Sequence, residues 1–334
     1  MNKTKLIIKT KSKNYPIFFG NNVLSKTGKL IKKNLPTVKK ICIINDNRIP
    51  KKLLKKLTKS LYHYDVKIFK LSASEKNKSL TVANRIIEQL LENNFNRSDC
   101  LISFGGGILG DLSAFVSSLT KRGIKFVNIP STLLSQVDAS VGGKTGINTH
   151  QGKNLIGTFY QPDFVLSDIS ILKSLPQREF IAGYGEILKH SLILDRKFFF
   201  WLTKFGKEII NKKDSTFLIK AITKSCEIKN KIIMRDEKEK SLRMILNFGH
   251  TFAHGFEGAS NFSKKLNHGE AVLLGMIIAS ELSFLADRAA SILPVPSSID
   301  KSLTPPVFPE DCGKAVSSIV KAEIPTVSSS STVL

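Results

Sequence analysis

Leu101-Ile102-Ser103-Phe104-Gly105-Gly106-Gly107-Ile108-Leu109-Gly110-Asp111 is the stretch on which the fold turns. Its first four residues, apolar but for Ser103, read as a buried strand, the glycines as a tight turn, and residues 112–119 as the helix that follows. A strand that passes through glycines into a helix brings backbone N–H groups to a helix amino terminus, where a pyrophosphate can approach closely. Gly105, Gly107 and Gly110 satisfy the G-x-G-x-x-G spacing of dinucleotide-binding folds. Such folds also place an acid about 20 residues further on, at the end of the next strand. Here that strand is Phe126-Val127-Asn128-Ile129, without an acid, so an ordinary Rossmann dehydrogenase fits poorly. Asp46, just after the apolar run 41–44, could hold a ribose instead; for Asp46 alone a turn or cap role is the plainer reading. A tight turn without a ligand is the lesser alternative for the glycines.

Outward from this turn, apolar runs at 41–44, 66–71 and 126–129 alternate with helical patterns such as 82–91, where Ile86, Ile87, Leu90 and Leu91 share a side. That alternation predicts a parallel sheet covered on both faces. After Leu172 strand signals thin out, and 179–194, 217–235 and 269–285 have helical spacing. The expected class is α/β: an N-terminal Rossmann-like parallel-sheet domain (1–172), then an all-helical C-terminal domain (173–289), with a site in the cleft. Residues 290–334 read differently. Six of the twelve prolines lie there, no Asn follows Asn267, and residues 328–331 are all serine. An atypical, poorly packed Pro/Ser-rich tail is expected.

The chain has 334 residues, 42% of them hydrophobic, and no apolar run reaches the ~18 residues of a membrane helix. The basic residues 1–13 lack the apolar stretch of a secretory signal. Cys42, Cys100, Cys226 and Cys312 form no C-x-x-C pair, which points to reduced thiols and a cytoplasmic location. Fifty-one Lys and Arg against 27 Asp and Glu leave a formal charge of +24. The lysines are spread along the chain, and no zinc-finger or RNA-recognition signature accompanies them. Compositional habit accounts for most of the excess and attraction of a small anionic substrate for some; no nucleic-acid or membrane partner is expected.

Two further regions carry chemistry. Pro130-Ser131-Thr132-Leu133-Leu134-Ser135-Gln136-Val137-Asp138, Gly142-Gly143-Lys144-Thr145-Gly146-Ile147-Asn148 and Gly152-Lys153-Asn154-Leu155-Ile156-Gly157 read as loops rich in donors and lysine, suited to a phosphate or carboxylate. Asn247-Phe248-Gly249-His250-Thr251-Phe252-Ala253-His254 and Asn267-His268-Gly269-Glu270 hold three of the six histidines. His250 and His254 share a face of a helix. Imidazoles plus a carboxylate make an open catalytic zinc site, and by spacing alone both would be ligands. Glu186 could supply the oxygen, with Lys189 three residues on to hold substrate; alone, Glu186 reads as a helix-surface residue. Lys229 and Arg243 flank Asp236, Glu237 and Glu239 and alone read as solvated helix ends. Arg122, after Lys121, alone reads as a surface charge.

Together these segments, with Glu75-Lys76-Asn77-Lys78 and Phe159-Tyr160-Gln161-Pro162, resemble 3-dehydroquinate synthases from about Asp46 to about Leu285. The resemblance implies a phosphate-eliminating carbon–oxygen lyase of the shikimate pathway, using NAD and zinc, with cobalt able to substitute. It would convert 3-deoxy-arabino-heptulosonate 7-phosphate to 3-dehydroquinate by transient oxidation, phosphate elimination, reduction, ring opening and intramolecular aldol closure. It further implies a cytoplasmic homodimer. Glu186, His250 and His268 match the metal ligands, and His254 a proton-handling histidine beside them. Lys144, Asn154, Lys189, Lys229, Arg243 and Asn247 match substrate-contacting positions. Asp138 and Arg122 match active-site positions, the arginine acting from the partner subunit. Asp46, Glu75, Lys78, Gly106, Gly107, Asp111, Ser131, Thr132, Lys153 and Glu179 match the NAD site. The family's late basic motif has no counterpart: Lys301, Lys314 and Lys321 lack its context. Other sugar phosphate cyclases, of valiolone or deoxy-inosose type, and an inactive descendant are the alternatives.

Overall fold

The computed structural model describes residues 4–211, 214–259 and 266–292. The strands are β1 (Thr4–Ile8), β2 (Tyr15–Gly20), β3 (Lys40–Asp46), β4 (Asp65–Leu71), β5 (Cys100–Gly105), β6 (Lys125–Pro130), β7 (Ile147–Thr149), β8 (Gly152–Ile156) and β9 (Phe164–Asp168). The helices are α1 (Thr27–Asn34), α2 (Lys51–Ser60), α3 (Leu80–Glu92), α4 (Gly107–Leu119), α5 (Gln177–Leu194), α6 (Arg196–Ile210), α7 (Ser215–Arg235), α8 (His250–Ala259) and α9 (His268–Ile292). None of the described helices is long and apolar enough to cross a membrane.

Seven strands form one sheet in the order β1-β2-β9-β6-β5-β3-β4, parallel except where β1 meets β2. All six residues of β5 are buried because it lies between β3 and β6, with Leu101 opposite both Cys42 and Phe126. Its alternation is resolved into two cores. Ile102 and Phe104 face Ile31 of α1 and Leu57 of α2, while Leu101 faces Ile86 of α3 and Leu112 of α4. The expected α/β class is what the chain adopts, with helices following the sheet from Gln177 onward. Cys42, Cys100 and Cys226 are free and buried. Helix α9 runs to Ile292; the remainder of the 290–334 tail lies outside the described residues.

The helical half leans on the sheet rather than standing apart. Ile17 and Phe19 of β2 and Val165 of β9 share one core with Tyr184, Leu188, Leu202, Ile222 and Met276. Helix α5 is buried on every side from 180 to 193, the state expected of a helix enclosed by other elements. Two glycines allow that enclosure: a Cβ on Gly183 would stand 2.4 Å from Leu134 N, and one on Gly269 2.3 Å from Ala182 Cα. So α5 lies directly against the segment after β6 and against the start of α9.

The region read as a donor-rich loop has more structure than expected. Ser135–Ala139 forms a π-helical turn, and β7 pairs antiparallel with β8. Of the β7–β8 residues only Ile147 is buried in a core, so hydrophobic period does not reveal the hairpin. Behind the turn, Gln136 Nε2 donates to Pro130 O and Asp168 O, both at 3.2 Å, and Ser167 Oγ donates to Gln136 Oε1 at 2.9 Å. Asp168, fully buried, accepts from the backbone N–H groups of Asn22, Leu24 and Ser170 at 2.9, 2.8 and 2.9 Å. Asp168→Ala would orphan three amides at the sheet end that holds the turn. It should lower the unfolding free energy by about 3 kcal/mol or more. Urea denaturation measures this, and a loss below about 1 kcal/mol would mean the amides have found other partners.

Candidate active site

The carboxyl ends of β3, β5 and β6 lie side by side, the usual place for a ligand in an open α/β sheet. At the end of β5, Gly106 is the extended residue before α4, and no side chain caps that helix. Its first N–H groups therefore lack a side-chain cap, and a helix amino terminus favours anions. A Cβ on Gly106 would stand 3.3 Å from Thr132 Cγ2 and one on Gly107 3.2 Å from Ala139 Cβ, so the glycines keep a narrow passage open. Ser131, which follows β6, donates its N–H to Gly105 O at 2.8 Å. Asp46 is buried at the end of β3 and grips Arg48, whose Nη2 is 2.8 Å from Oδ2, while accepting the Arg48 N–H at 3.1 Å. The turn role and the site position thus coincide in one residue. Glu179, exposed in the first turn of α5, adds its charge to the field at Arg48.

Lys78 is buried and donates to Asp111 Oδ2 at 2.6 Å and to Asn154 Oδ1. Burial, only partly offset by Lys78, pushes the Asp111 carboxyl above its usual range. Asn154 sits at φ 59° in exposed β8, its N–H bonded to Asn148 Oδ1 at 3.1 Å; Asn148 in turn donates to Glu75 Oε2 at 2.6 Å. Lys153, beside Asn154, is exposed. These residues, scattered over 75–154 in sequence, form one connected wall.

A second group lies where α5 and α7 meet the π-turn. Lys229 Nζ donates to Asp138 Oδ1 and to Asp138 O, both at 2.6 Å. Glu186 and Lys189, each 2% exposed, form an ion pair, and Glu186 Oε2 accepts no well-directed hydrogen bond. Burial pushes Asp138 up, but Lys229, Lys189 and His190 outweigh it and hold the carboxyl below its usual range. Burial lowers Lys229 in spite of Asp138. Arg243, also 2% exposed, donates from Nη1 to Glu237 O at 2.5 Å and to Gly142 O at 3.3 Å. The solvated-end reading of Lys229 and Arg243 is therefore wrong, as is the helix-surface reading of Glu186. All three are desolvated because the helices carrying them are packed on several sides. Lys144 is exposed and pairs with Glu239. Asn247 is exposed at the end of a 3-10 turn, and Arg122 is exposed with a left-handed backbone at φ 62°.

The histidines assemble as the spacing suggests. The ring centroid of His250 is 5.8 Å from that of His254 and 5.4 Å from that of His268. Glu257 accepts from His254 Nδ1 at 3.0 Å and lies 3.1 Å from His268 Nδ1. Burial and the Lys189 charge lower His250 to about 4, and Asp138 also acts on it, so the histidine group adjoins the Lys189–Asp138 group. Among the described residues, the three ligand-type side chains whose donor atoms all fall within 4.8 Å of one another are Asp138, Glu186 and His190.

Comparison with known proteins follows this geometry. Residues 68–182 match the model of the 3-dehydroquinate synthase N-terminal domain, and 183–294 that of the C-terminal domain. The chain belongs to the 3-dehydroquinate synthase family. A 3-dehydroquinate synthase of Pelagibacter ubique is 55% identical over 285 residues, covering 85% of this chain and 77% of the relative. One of Idiomarina loihiensis is 44% identical over 279 residues, covering 84% and 77%. The fold is shared with a 2-deoxy-scyllo-inosose synthase complexed with carbaglucose-6-phosphate, NAD+ and Co2+. That match has a TM-score of 0.81 at 24% identity over 99% of this chain and 84% of the other. It is shared too with a 2-epi-5-epi-valiolone synthase from Streptomyces hygroscopicus with NAD+ and Zn2+ bound, at TM-score 0.74 and 23% identity over 95% and 89%.

Two residues beside these groups, Glu257 and His190, are not among the sequence candidates. Glu257 lies three residues after His254, a helical neighbour spacing that could have revealed it. His190 directly follows Lys189, and only its burial betrays it. Burial and Lys189 lower His190 to about 3. Both His190 and His250 are thus held neutral in the folded chain, whereas the unfolded chain takes up protons below the ordinary value of 6.5. Their contribution to stability is full above that pH and is lost as pH falls through 4 and 3. Each adds a slope of up to about 1.4 kcal/mol per pH unit in this window. His190→Gln should flatten the fall in unfolding free energy between pH 6 and 4. Urea titrations of both proteins at several pH values check this; parallel curves would show that His190 is not held neutral by burial.

Proposed function

We propose that this chain converts 3-deoxy-arabino-heptulosonate 7-phosphate to 3-dehydroquinate and phosphate, with NAD and a divalent metal, zinc or cobalt, as cofactors. Family membership supports the reaction. The observation that carries it is the buried Lys189–Glu186 and Lys229–Asp138 pairs adjoining a cluster of three histidines. Few simple tasks need two desolvated ammonium groups beside imidazoles; holding a multiply charged sugar phosphate next to a metal is one.

The residues present fit both cofactors. For the metal, Glu186 has a buried oxygen short of a hydrogen bond, and His250 is neutral at working pH, as a ligand must be. His268 completes the set, with Glu257 beside its Nδ1 to orient the ring. For NAD, the uncapped start of α4 at Gly106 and Gly107 suits the pyrophosphate. Asp46, Glu75, Lys78, Asp111, Ser131, Thr132, Lys153 and Glu179 would serve the remainder. The sheet part, 1–172, would hold the nucleotide, and 173–289 most of the metal and substrate groups. NAD would supply a transient hydride acceptor and the metal a Lewis acid at the reacting oxygen.

The chain's own residues bind, orient and move protons. Lys144, Lys189, Lys229 and Arg243 are the cations for phosphate and carboxylate, and Asn154 and Asn247 the hydroxyl partners. The carboxylate-bearing substrate is favoured over other seven-carbon or hexose phosphates because it gives this number of cations a partner. His254, 65% exposed and hydrogen-bonded to Glu257, is placed to pass a proton between substrate and solvent. Asp138 positions Lys229. Exposed Arg122 is the residue to reach a partner's cleft in a cytoplasmic homodimer.

Phosphate release in the presence of NAD and zinc, stopped by chelator and without net accumulation of NADH, tests the reading; NADH building up would indicate a plain alcohol dehydrogenase. Glu186→Ala and His250→Ala should lose metal and turnover together. Full zinc occupancy in both variants would remove them from the ligand set.

A further inference from the structure

His190 has no assigned part in the reaction above, yet it is wholly buried among the groups that do. Its Nδ1 lies 2.6 Å from Ser225 Oγ on α7, and its Nε2 has no hydrogen-bond partner. That Nε2 is 3.9 Å from Asp138 Oδ1, the same oxygen that holds Lys229 Nζ at 2.6 Å. Chemistry selects the tautomer. With the proton on Nδ1, the Nε2 lone pair would face a carboxylate oxygen. With the proton on Nε2, Ser225 donates to Nδ1 and an N–H points at the carboxylate. The separation is too long for a hydrogen bond, and a movement of about 1 Å makes one.

The gathering of Asp138, Glu186 and His190 is not suited to a cation of its own. Lys229 already holds Asp138 Oδ1 at 2.6 Å, and Glu186 is read above as a ligand of the metal at the histidine group. A different need is visible. If Lys229 turns to an anionic substrate, Asp138 loses the partner of Oδ1. A third of the Asp138 side chain is exposed, and bound substrate would cover it. A carboxylate left unpaired there would oppose binding.

We propose that His190 is a positioning residue that takes over Asp138 Oδ1 when Lys229 is drawn to the substrate, so that binding exchanges partners instead of orphaning a carboxylate. This deepens the reading of Lys229 as a substrate-binding cation and rests on it. Ser225 is the second half of the device, because its hydroxyl keeps the proton on Nε2.

Two polar replacements separate this role from packing. The amide nitrogen of His190→Gln reaches the Nε2 position and can still donate to Asp138. His190→Asn keeps a partner for Ser225 but stops short of Asp138. In the zinc- and NAD-loaded enzyme, His190→Asn should raise the KM for 3-deoxy-arabino-heptulosonate 7-phosphate about tenfold, and His190→Gln by no more than about threefold. Zinc content and NAD affinity should be unchanged in both. Equal KM values in the two variants, or a wild-type KM in His190→Asn, overturn the proposal. Loss of zinc in both would make His190 a metal ligand and overturn it also. Lys229→Ala is run alongside. If it leaves KM unaltered, the underlying reading of Lys229 fails; if it raises KM while His190→Asn does not, only the exchange fails.

Discussion

Two ammonium groups and a carboxylate held away from water, with a second carboxylate at the edge of the same junction, constrain everything around them. Lys229 pairs with Asp138 and Lys189 with Glu186, and each lysine is nearly inaccessible. Desolvating such groups costs several kcal/mol per ion unless geometry returns it, so the junction must be tightly framed. The frame comes from three directions. The π-turn carries Asp138, α5 carries Glu186 and Lys189, and α7 carries Lys229. All three elements contribute to a core that continues into β2 and β9. Removing one partner would leave a buried charge without compensation, which is why the pairs hold the elements in register as much as they hold each other.

The sheet reaches this junction through its carboxyl edge. Gln136 spans from the turn to the ends of β6 and β9, and Asp168 fastens β9 to the amides after β2. A π-turn places Asp138 where a regular helix would point it elsewhere, in keeping with the association of such turns with functional sites. The close approach at Gly183 then sets α5 against that turn. Fold and site are thus one argument: the strand ends place the glycine turn and the π-turn, and the π-turn meets the helices that bear the cations.

Much of this was legible beforehand because burial leaves a period in sequence. The runs in β3, β5 and β6 are apolar on both faces, and α3, α5 and α7 have helical spacing, so the sheet's centre and the helical half could be read directly. The edges could not. Exposed β4 was visible only through its apolar positions, β1 has only five residues with a lysine among them, and Pro16 interrupts the otherwise apolar run of β2. The β7–β8 hairpin has no apolar period at all. The site was legible by residue type where types are rare, as with the histidines. Lysines are so common in this chain that Lys229 stood out only through the family resemblance, and Lys189 otherwise only through its spacing from Glu186. Nothing local distinguishes them from solvated lysines, because what distinguishes them is burial by distant elements. His190 shows the same limit: its partners are Ser225 and Asp138, far away in sequence on either side.

The excess of positive charge takes on a specific meaning from these pairs. Exposed lysines act through water and salt, which screen them within about 10 Å. They can raise the local concentration of an anion but cannot choose one. The buried cations positioned to choose are already committed: Lys189 to Glu186 and Lys229 to Asp138. An anionic ligand must therefore compete with a carboxylate for each of them, and a ligand with too few anionic groups, or groups in the wrong places, would break pairs without replacing them. Selectivity in such a cleft comes from the number and placement of exchanges, since each mismatched one leaves a poorly solvated carboxylate behind. A net charge of +24 spread over the chain could not discriminate in this way. Two buried, paired cations at one junction can.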